Sequence, residues 1–95
     1  MPRRLFFLDV RRRDGGPVLP AWHRAVGEEA VRHPDVVAFS VVGPLDVSDP
    51  DAGWRYEITA AGAAGRRPAV ALAAILREAL PGAEVTWHPA VGEMR

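Results

Sequence analysis

Apolar and polar residues follow two different periods along the chain, and the order of these periods predicts the order of the elements. Short runs that are apolar or that alternate with period two predict strands at Leu5–Val10, Val36–Val42, Trp54–Ala60 and Ala83–His88. Apolar residues spaced three and four positions apart predict helices from about Leu19 to Arg32 and from about Pro68 to Leu80. Pro and Gly residues occur between these segments, where they favour turns.

The resulting order is β-α-β-β-α-β, which with right-handed crossovers gives the split βαβ arrangement. We therefore predict that the 95 residues form one ferredoxin-like α+β domain, a two-layer sandwich. The predicted sheet is antiparallel, with strand order 4-1-3-2 and both helices on one face. This fold hosts many functions, so the function has to be argued from the side chains.

Alternation along each strand divides the sheet residues into a helix-facing set and an open-face set. The predicted helix-facing set is Phe6, Leu8, Val10, Val37, Phe39, Val41, Trp54, Tyr56, Ile58, Val85 and Trp87. The predicted open-face set is Leu5, Phe7, Asp9, Val36, Ala38, Ser40, Val42, Arg55, Glu57, Thr59, Glu84, Thr86 and His88. An open face that mixes large apolar side chains with charged ones is typical of a partner surface.

The mixed open face favours, as the main hypothesis, a non-enzymatic protein–protein interaction module. It would act as a homodimer or as an adaptor domain of a larger bacterial system. Leu5, Phe7 and Val42 are the predicted apolar contacts with the partner, and Arg55 and Glu57 are predicted to set its orientation. We predict no catalytic residue, cofactor or metal, since the sequence has no cysteine, no phosphate-binding loop and no zinc-ligand cluster.

The charge balance and the hydropathy of the chain indicate which classes of partner it can bind and in which cellular compartment we expect it. All 12 basic residues are Arg and are balanced by 12 acidic residues, so no overall field attracts nucleic acid or anionic lipid. Glu57, at the centre of the open face, would repel phosphate and further disfavours nucleic acid. The apolar runs are too short to cross a membrane, and Asp9 interrupts the first run too early for a signal peptide. We therefore expect a cytoplasmic protein.

Asp9 lies near the end of the first apolar run and is followed by three arginines, Arg11–Arg13. We expect it to be a solvated strand end whose charge these arginines balance. The alternative is a divalent-cation site formed with Glu84, at the start of strand 4, beside a parallel strand 3 that brings Thr59 close.

The chain resembles dimeric α/β-barrel proteins, among them the antibiotic-biosynthesis monooxygenases, in its aromatic first strand and in the pair Trp54 and Tyr56 of its third strand. The resemblance implies that two sheets pack through their open faces and that a pocket lies between sheet and helices. The alternative hypothesis is therefore a small enzyme or ligand-binding protein that acts on an aromatic or polyketide-like molecule. Its pocket would be lined by Trp22, Trp54, Tyr56 or Trp87, and its acid–base group would be His23 or His88.

Overall fold

The computed structural model describes residues 3–90 of the chain. The elements are β1 (Arg3–Arg12), α1 (Pro20–Arg32), β2 (Val36–Pro44), β3 (Gly53–Ala61), a 3₁₀ turn (Gly62–Ala64), α2 (Arg67–Ala79) and β4 (Ala83–Pro89). The four strands form one antiparallel sheet in the order β2-β3-β1-β4. This is the predicted order read from the other edge, and the chain has the ferredoxin-like α+β fold.

Both helices pack on one face of the sheet through stripes that repeat every three or four residues. The stripe of α1 buries Trp22, Val26 and Ala30, and that of α2 includes Leu72 and Leu76. Each helix has a proline in its first turn, where the missing N–H would have no partner in any case. Neither of these 13-residue helices has the length and hydrophobicity to cross a membrane.

The core lies between this helical layer and the two central strands. Leu8 on β1 lies opposite Tyr56 on β3, and Phe6 lies opposite Ile58. All four side chains are at most 1 % exposed. Val85 on β4 lies beside Val10 and is also buried. The predicted helix-facing residues of β1 and β3, together with Val85, are therefore core residues or pack against the core.

The edge strand β2 departs from the predicted alternation because it contains two register shifts, one between Val36 and Ala38 and one between Val41 and Gly43. Val36 packs against the core, so its predicted place on the open face is wrong. Val41 lies opposite Tyr56 and so keeps its predicted helix-facing side, although at this edge of the sheet it is 51 % exposed. Val37, which we expected in the core, lies within the first shift and is 50 % exposed. An extra residue in one strand of a pair reverses the facing of the side chains that follow it.

Candidate active site

Four aromatic side chains meet on the helix side of the sheet, and we call His23, Phe39, Trp54 and Tyr56 the aromatic cluster. His23 lies on α1, Phe39 on β2, and Trp54 and Tyr56 on β3. The ring of the fully buried Tyr56 stacks on that of Phe39, with centroids 5.6 Å apart and an interplanar angle of 19°. The imidazole of His23 meets Trp54 edge to face at 4.8 Å. The imidazole therefore lies beside Trp54 and Tyr56, and Phe39 extends the cluster from Tyr56.

The imidazole of His23 is held by Tyr56, whose hydroxyl lies 2.6 Å from Nδ1. Burial raises the pKa of Tyr56 to about 12, so this hydroxyl stays neutral at physiological pH. A neutral phenol can donate its O–H to Nδ1 or accept an N–H from it, and either bond fixes the ring. Within residues 3–90, no side chain forms a hydrogen bond with Nε2 of His23. Nε2 is therefore the nitrogen left for a ligand.

The Phe39 ring packs against α1 at Gly27. His23 and Gly27 are four residues apart and lie on the same face of that helix. A methyl group at Gly27 would lie only 3.4 Å from Cε2 of Phe39. The ring therefore lies against the helix one turn beyond His23, at a distance that an alanine at position 27 would also allow.

The aromatic cluster is open to solvent on the β2 side. His23, Phe39 and Trp54 are all partly exposed, and Val41, which lies opposite Tyr56, is half exposed. A partly exposed apolar surface around one imidazole suits a flat aromatic ligand, since aromatic rings pack edge to face or in offset stacks. Imidazole transfers protons efficiently near neutral pH, so the cluster can perform acid–base chemistry on such a ligand.

A second group of side chains lies on the open face, and we call Phe7, Asp9, Arg55 and His88 the open-face cluster. Arg55 donates from Nε and Nη2 to the two carboxylate oxygens of Asp9, at 2.8 and 2.9 Å. Nε2 of His88 lies 3.2 Å from Oδ2 of Asp9, and the Arg55 guanidinium lies 4.7 Å from the Phe7 ring centroid. Burial acts to raise the pKa of Asp9, but hydrogen bonds from Arg55 and His88 outweigh it and lower that pKa.

The predicted environment of Asp9 was wrong. Asp9 is 7 % exposed and is not a solvated strand end. Strand β3 runs antiparallel to β1, so Arg55 lies opposite Asp9 while Thr59 lies opposite Leu5. Glu84 lies 3.8 Å from Arg11 instead. Among the described residues, no group of three or more His, Cys, Asp or Glu is arranged to hold a metal ion.

Four of the five predicted partner contacts share the open face. Leu5 and Phe7 are two residues apart on β1, and Glu57 lies opposite Phe7. Arg55 is on the same face but is bonded to Asp9. Val42 is 54 % exposed and lies within the second register shift of β2, so alternation does not assign it to a face. Their role in partner binding stays a prediction.

The other two tryptophans lie outside the aromatic cluster. Trp87 packs edge to face against Phe6, with ring centroids 5.6 Å apart, and is a core residue rather than part of an open pocket. Trp22 is 6 % exposed and forms part of the wall of a separate cavity near the start of α1. Of the aromatic residues suggested by the sequence, only Trp54 and Tyr56 therefore lie beside a candidate acid–base group on the helix side.

No protein-family model and no curated protein matches this chain. Two solved structures are similar to it over nearly its whole length. One is a mutant of SnoaB, a cofactor-independent oxygenase from Streptomyces nogalater; it is 20 % identical, with a TM-score of 0.52 over 96 % of this chain and 95 % of that one. SnoaB itself, from the same organism, is 19 % identical, with a TM-score of 0.51 over 95 % and 94 % of the two chains. At these identities the likeness establishes the fold.

The main functional hypothesis from the sequence, a non-enzymatic interaction module, is contradicted by this likeness, because the similar structures belong to an oxygenase. The physical source of the error lies in the open face. Asp9 and Arg55 were counted as separate surface charges, whereas they neutralise each other within one chain.

Proposed function

We propose that this chain is an enzyme that acts on an aromatic small molecule at the aromatic cluster, with His23 as the acid–base group. The observation that carries the proposal is the 2.6 Å hydrogen bond between Nδ1 of His23 and the hydroxyl of Tyr56. For Nε2 to accept a proton, Nδ1 must carry the imidazole hydrogen and donate it to the Tyr56 hydroxyl, so in the proposed reaction Tyr56 sets both the tautomer and the orientation of the base. Tyr56 is thus a positioning residue, and Nε2 of His23 is the reacting atom.

The surroundings of His23 favour an aromatic substrate. The rings of Trp54 and His23 pack edge to face, and both are partly exposed. Phe39 and Val41 extend this apolar surface along β2. A planar substrate placed here would contact apolar side chains on its faces and direct a hydroxyl group towards Nε2.

Oxygenation is the reaction class that we propose, because the similar structures are of a cofactor-independent oxygenase. Loss of a proton makes a phenol electron-rich enough to reduce O₂ directly. One phenol and one O₂ then give one quinone and one water, so the substrate itself supplies all four electrons. In this scheme His23 accepts the phenolic proton at Nε2 and returns it as the water forms.

The proposal includes a homodimer that buries the open faces of two sheets, as in the dimeric α/β barrels that the sequence resembles. The ion pair between Asp9 and Arg55 supports this arrangement. Burying charges that are already paired within one chain has a smaller desolvation free energy than burying unpaired charges. The ring of Phe7, which lies over the guanidinium of Arg55, adds apolar surface to the same face.

The test is oxygen consumption with a panel of monohydroxylated aromatics that includes 1-naphthol and anthracen-9-ol, corrected for uncatalysed oxidation. We expect turnover of at least one compound, and a loss of about a hundredfold or more in kcat for His23→Gln. Tyr56→Phe should lower kcat with little change in KM, because it leaves the ring unoriented. Arg24→Gln is the matched control, since Arg24 follows His23 on α1 and its side chain is 84 % exposed.

Two results would contradict the proposal. One is folded protein that neither binds nor oxidises any compound of the panel. The other is a His23→Gln variant that keeps the turnover of the unsubstituted protein. Circular dichroism of each variant would show that it is folded.

A further inference from the structure

A cavity of about 320 Å³ lies between the start of α1 and the turn that follows α2. It is lined by Arg12, Arg13, Asp14, Leu19, Trp22, Pro81 and Gly82. None of these residues belongs to the aromatic cluster. Cavities that hold small molecules begin at about 300 Å³, so this one has room for a ligand of one or two rings.

The backbone fixes the shape of this cavity. The N–H of Arg13 donates to the carbonyl oxygen of Gly82 at 2.8 Å, which ties the loop after β1 to the turn after α2. Gly82 has a φ of +84°, a conformation that glycine adopts without strain. A second bond, from Gly15 N–H to the carbonyl of Arg12 at 3.2 Å, closes the loop on itself. The cavity is therefore preformed.

The charges around the cavity leave one arginine without a partner. Nη2 of Arg12 lies 2.6 Å from Oδ2 of Asp14, so these two charges neutralise each other. The N–H of Gly16 donates to the same carboxylate at 2.8 Å, and this bond, followed by that of Arg12, lowers the pKa of Asp14. Within residues 3–90, Arg13 forms no salt bridge. The cavity thus carries one net positive charge, which lies on Arg13.

The cavity also has apolar lining residues, and one of them is unusual for its position. Leu19 is the residue before α1, where Ser, Thr, Asp or Asn is preferred because its side chain bonds to the helix N-terminus. Leu19 makes no such bond and is 45 % exposed. Trp22, one turn later, lies beneath it with 6 % of its surface exposed. A lining that combines apolar side chains with a single unpaired cation is complementary to an amphipathic anion.

We propose that this cavity is a binding site for an aromatic carboxylate of one or two rings. The carboxylate pairs with Arg13, whose planar guanidinium matches it with two hydrogen bonds. The ring lies against Leu19 and Trp22. This site is separate from the aromatic cluster, and its existence does not depend on the proposed function of His23.

The test is calorimetric titration of the chain with 2-naphthoate and with 2-naphthamide, which has the same shape and no charge. We expect 2-naphthoate to bind at least about tenfold more tightly, and Arg13→Gln to remove that difference. The substitution is expected to leave the fold intact, because the Arg13 side chain is exposed and only its backbone N–H bonds to Gly82. Arg24→Gln, which removes an exposed arginine outside the cavity, should bind both compounds unchanged.

Amide and indole NMR shifts locate the ligand. Shifts at Gly82, Arg13 and the Trp22 indole are expected, and His23→Gln should not alter them. Absence of binding, equal affinity for the two compounds, or unchanged affinity in Arg13→Gln would overturn the inference. Shifts centred on Trp54 that vanish in His23→Gln would also overturn it, because the carboxylate would then occupy the proposed active site.

Discussion

Asp9 and Arg55 face each other across β1 and β3 and form a two-point ion pair on the open face of the sheet, with donor–acceptor distances of 2.8 and 2.9 Å. The Asp9 side chain is 9 % exposed and that of Arg55 is 33 % exposed. Burial disfavours the charged carboxylate, but the bonds from Arg55 and His88 keep the pKa of Asp9 below its ordinary value. The pair is therefore formed at neutral pH.

Replacing Asp9 tests how much this pair stabilises the fold. A carboxyl whose pKa is lowered by folding contributes stability above its unfolded pKa of about 3.9, and this contribution is lost as the pH falls through the folded pKa. Asp9→Asn should therefore lower the free energy of unfolding by about 1–3 kcal/mol at neutral pH and by much less at about pH 2. Urea denaturation at the two pH values measures both differences.

The matched control is Asp49→Asn, which removes a carboxylate from the exposed loop after β2. It should change the stability by less than about 0.5 kcal/mol at either pH. A loss for Asp9→Asn that is the same at neutral and acid pH would show that the ion pair is not its cause.

The ionisation of Tyr56 should make the folding stability depend on pH in the alkaline range as well. Tyr56 is the single tyrosine of a chain that lacks lysine and cysteine, so its titration is isolated from other side chains. Its pKa is raised by burial to about 12, so folding stability is fully present below the unfolded pKa of about 10 and is lost as the pH rises towards 12. The free energy of unfolding should fall by about 2–3 kcal/mol between these two pH values.

Ultraviolet absorbance of the tyrosinate, recorded with circular dichroism, follows this titration. We expect little tyrosinate at about pH 10 in the folded protein, and Tyr56→Phe should lack the alkaline loss of stability. A tyrosinate midpoint near 10 while the protein remains folded would mean that Tyr56 is accessible to water. The hydrogen bond to His23 would then not be a closed, orienting contact.

The sequence pattern predicts β1, β3, β4 and both helices because each has a strong period, and these predictions are confirmed. In β2 the predicted facing is correct from Ala38 to Val41 and fails at the start of the strand, because the adjacent residues Val36 and Val37 are both apolar and either could face the core. The register shifts decide this, and they depend on pairing with β3. The fold follows from local periodicity, whereas this register follows from contacts between strands.

The candidate site was only partly predictable for the same reason. His23, Trp54 and Tyr56 were all candidates from the resemblance, but the bond between His23 and Tyr56 joins residues 33 positions apart. No local period encodes such a contact. The one local feature at this contact is Gly27, a poor helix former inside α1, and Phe39 packs against it at a distance that an alanine would also allow. The ion pair of Asp9 follows from the register of β3 on β1, which brings Arg55 rather than Thr59 opposite Asp9.

An added methyl group should have opposite effects on stability at Gly27 and at Gly53. Gly27→Ala should be neutral or stabilise the protein by up to about 1 kcal/mol, because Ala favours the helix and its Cβ would meet Phe39 at an ordinary contact distance of 3.4 Å. Gly53→Ala should destabilise it by about 1–3 kcal/mol, because the Cβ would lie 2.7 Å from Cδ1 of Leu45 and 3.1 Å from the Val10 carbonyl oxygen. Thermal unfolding compares the two variants directly. A larger loss for Gly27→Ala than for Gly53→Ala would contradict the packing of Phe39 under α1.

The proposed homodimer predicts a concentration-dependent mass in light scattering coupled to size exclusion. The unsubstituted chain should form a dimer, and Phe7→Glu should be a folded monomer because a carboxylate would be buried in the interface. Phe7 lies opposite Glu57, so the new charge also repels its neighbour within one chain and lowers the stability of the monomer. Leu5→Glu is therefore the second variant, since Leu5 lies opposite the uncharged Thr59 on the same face.

Val47→Glu is the control for these two variants. Val47 is 86 % exposed in the loop between β2 and β3, so it gains the same charge at a position away from the sheet. It should remain a dimer, whereas both open-face variants dissociate with their circular dichroism unchanged. If Val47→Glu alone dissociated, the interface would lie at the loop. A monomer at every concentration of the unsubstituted chain would instead show that the open face does not pair with a second copy.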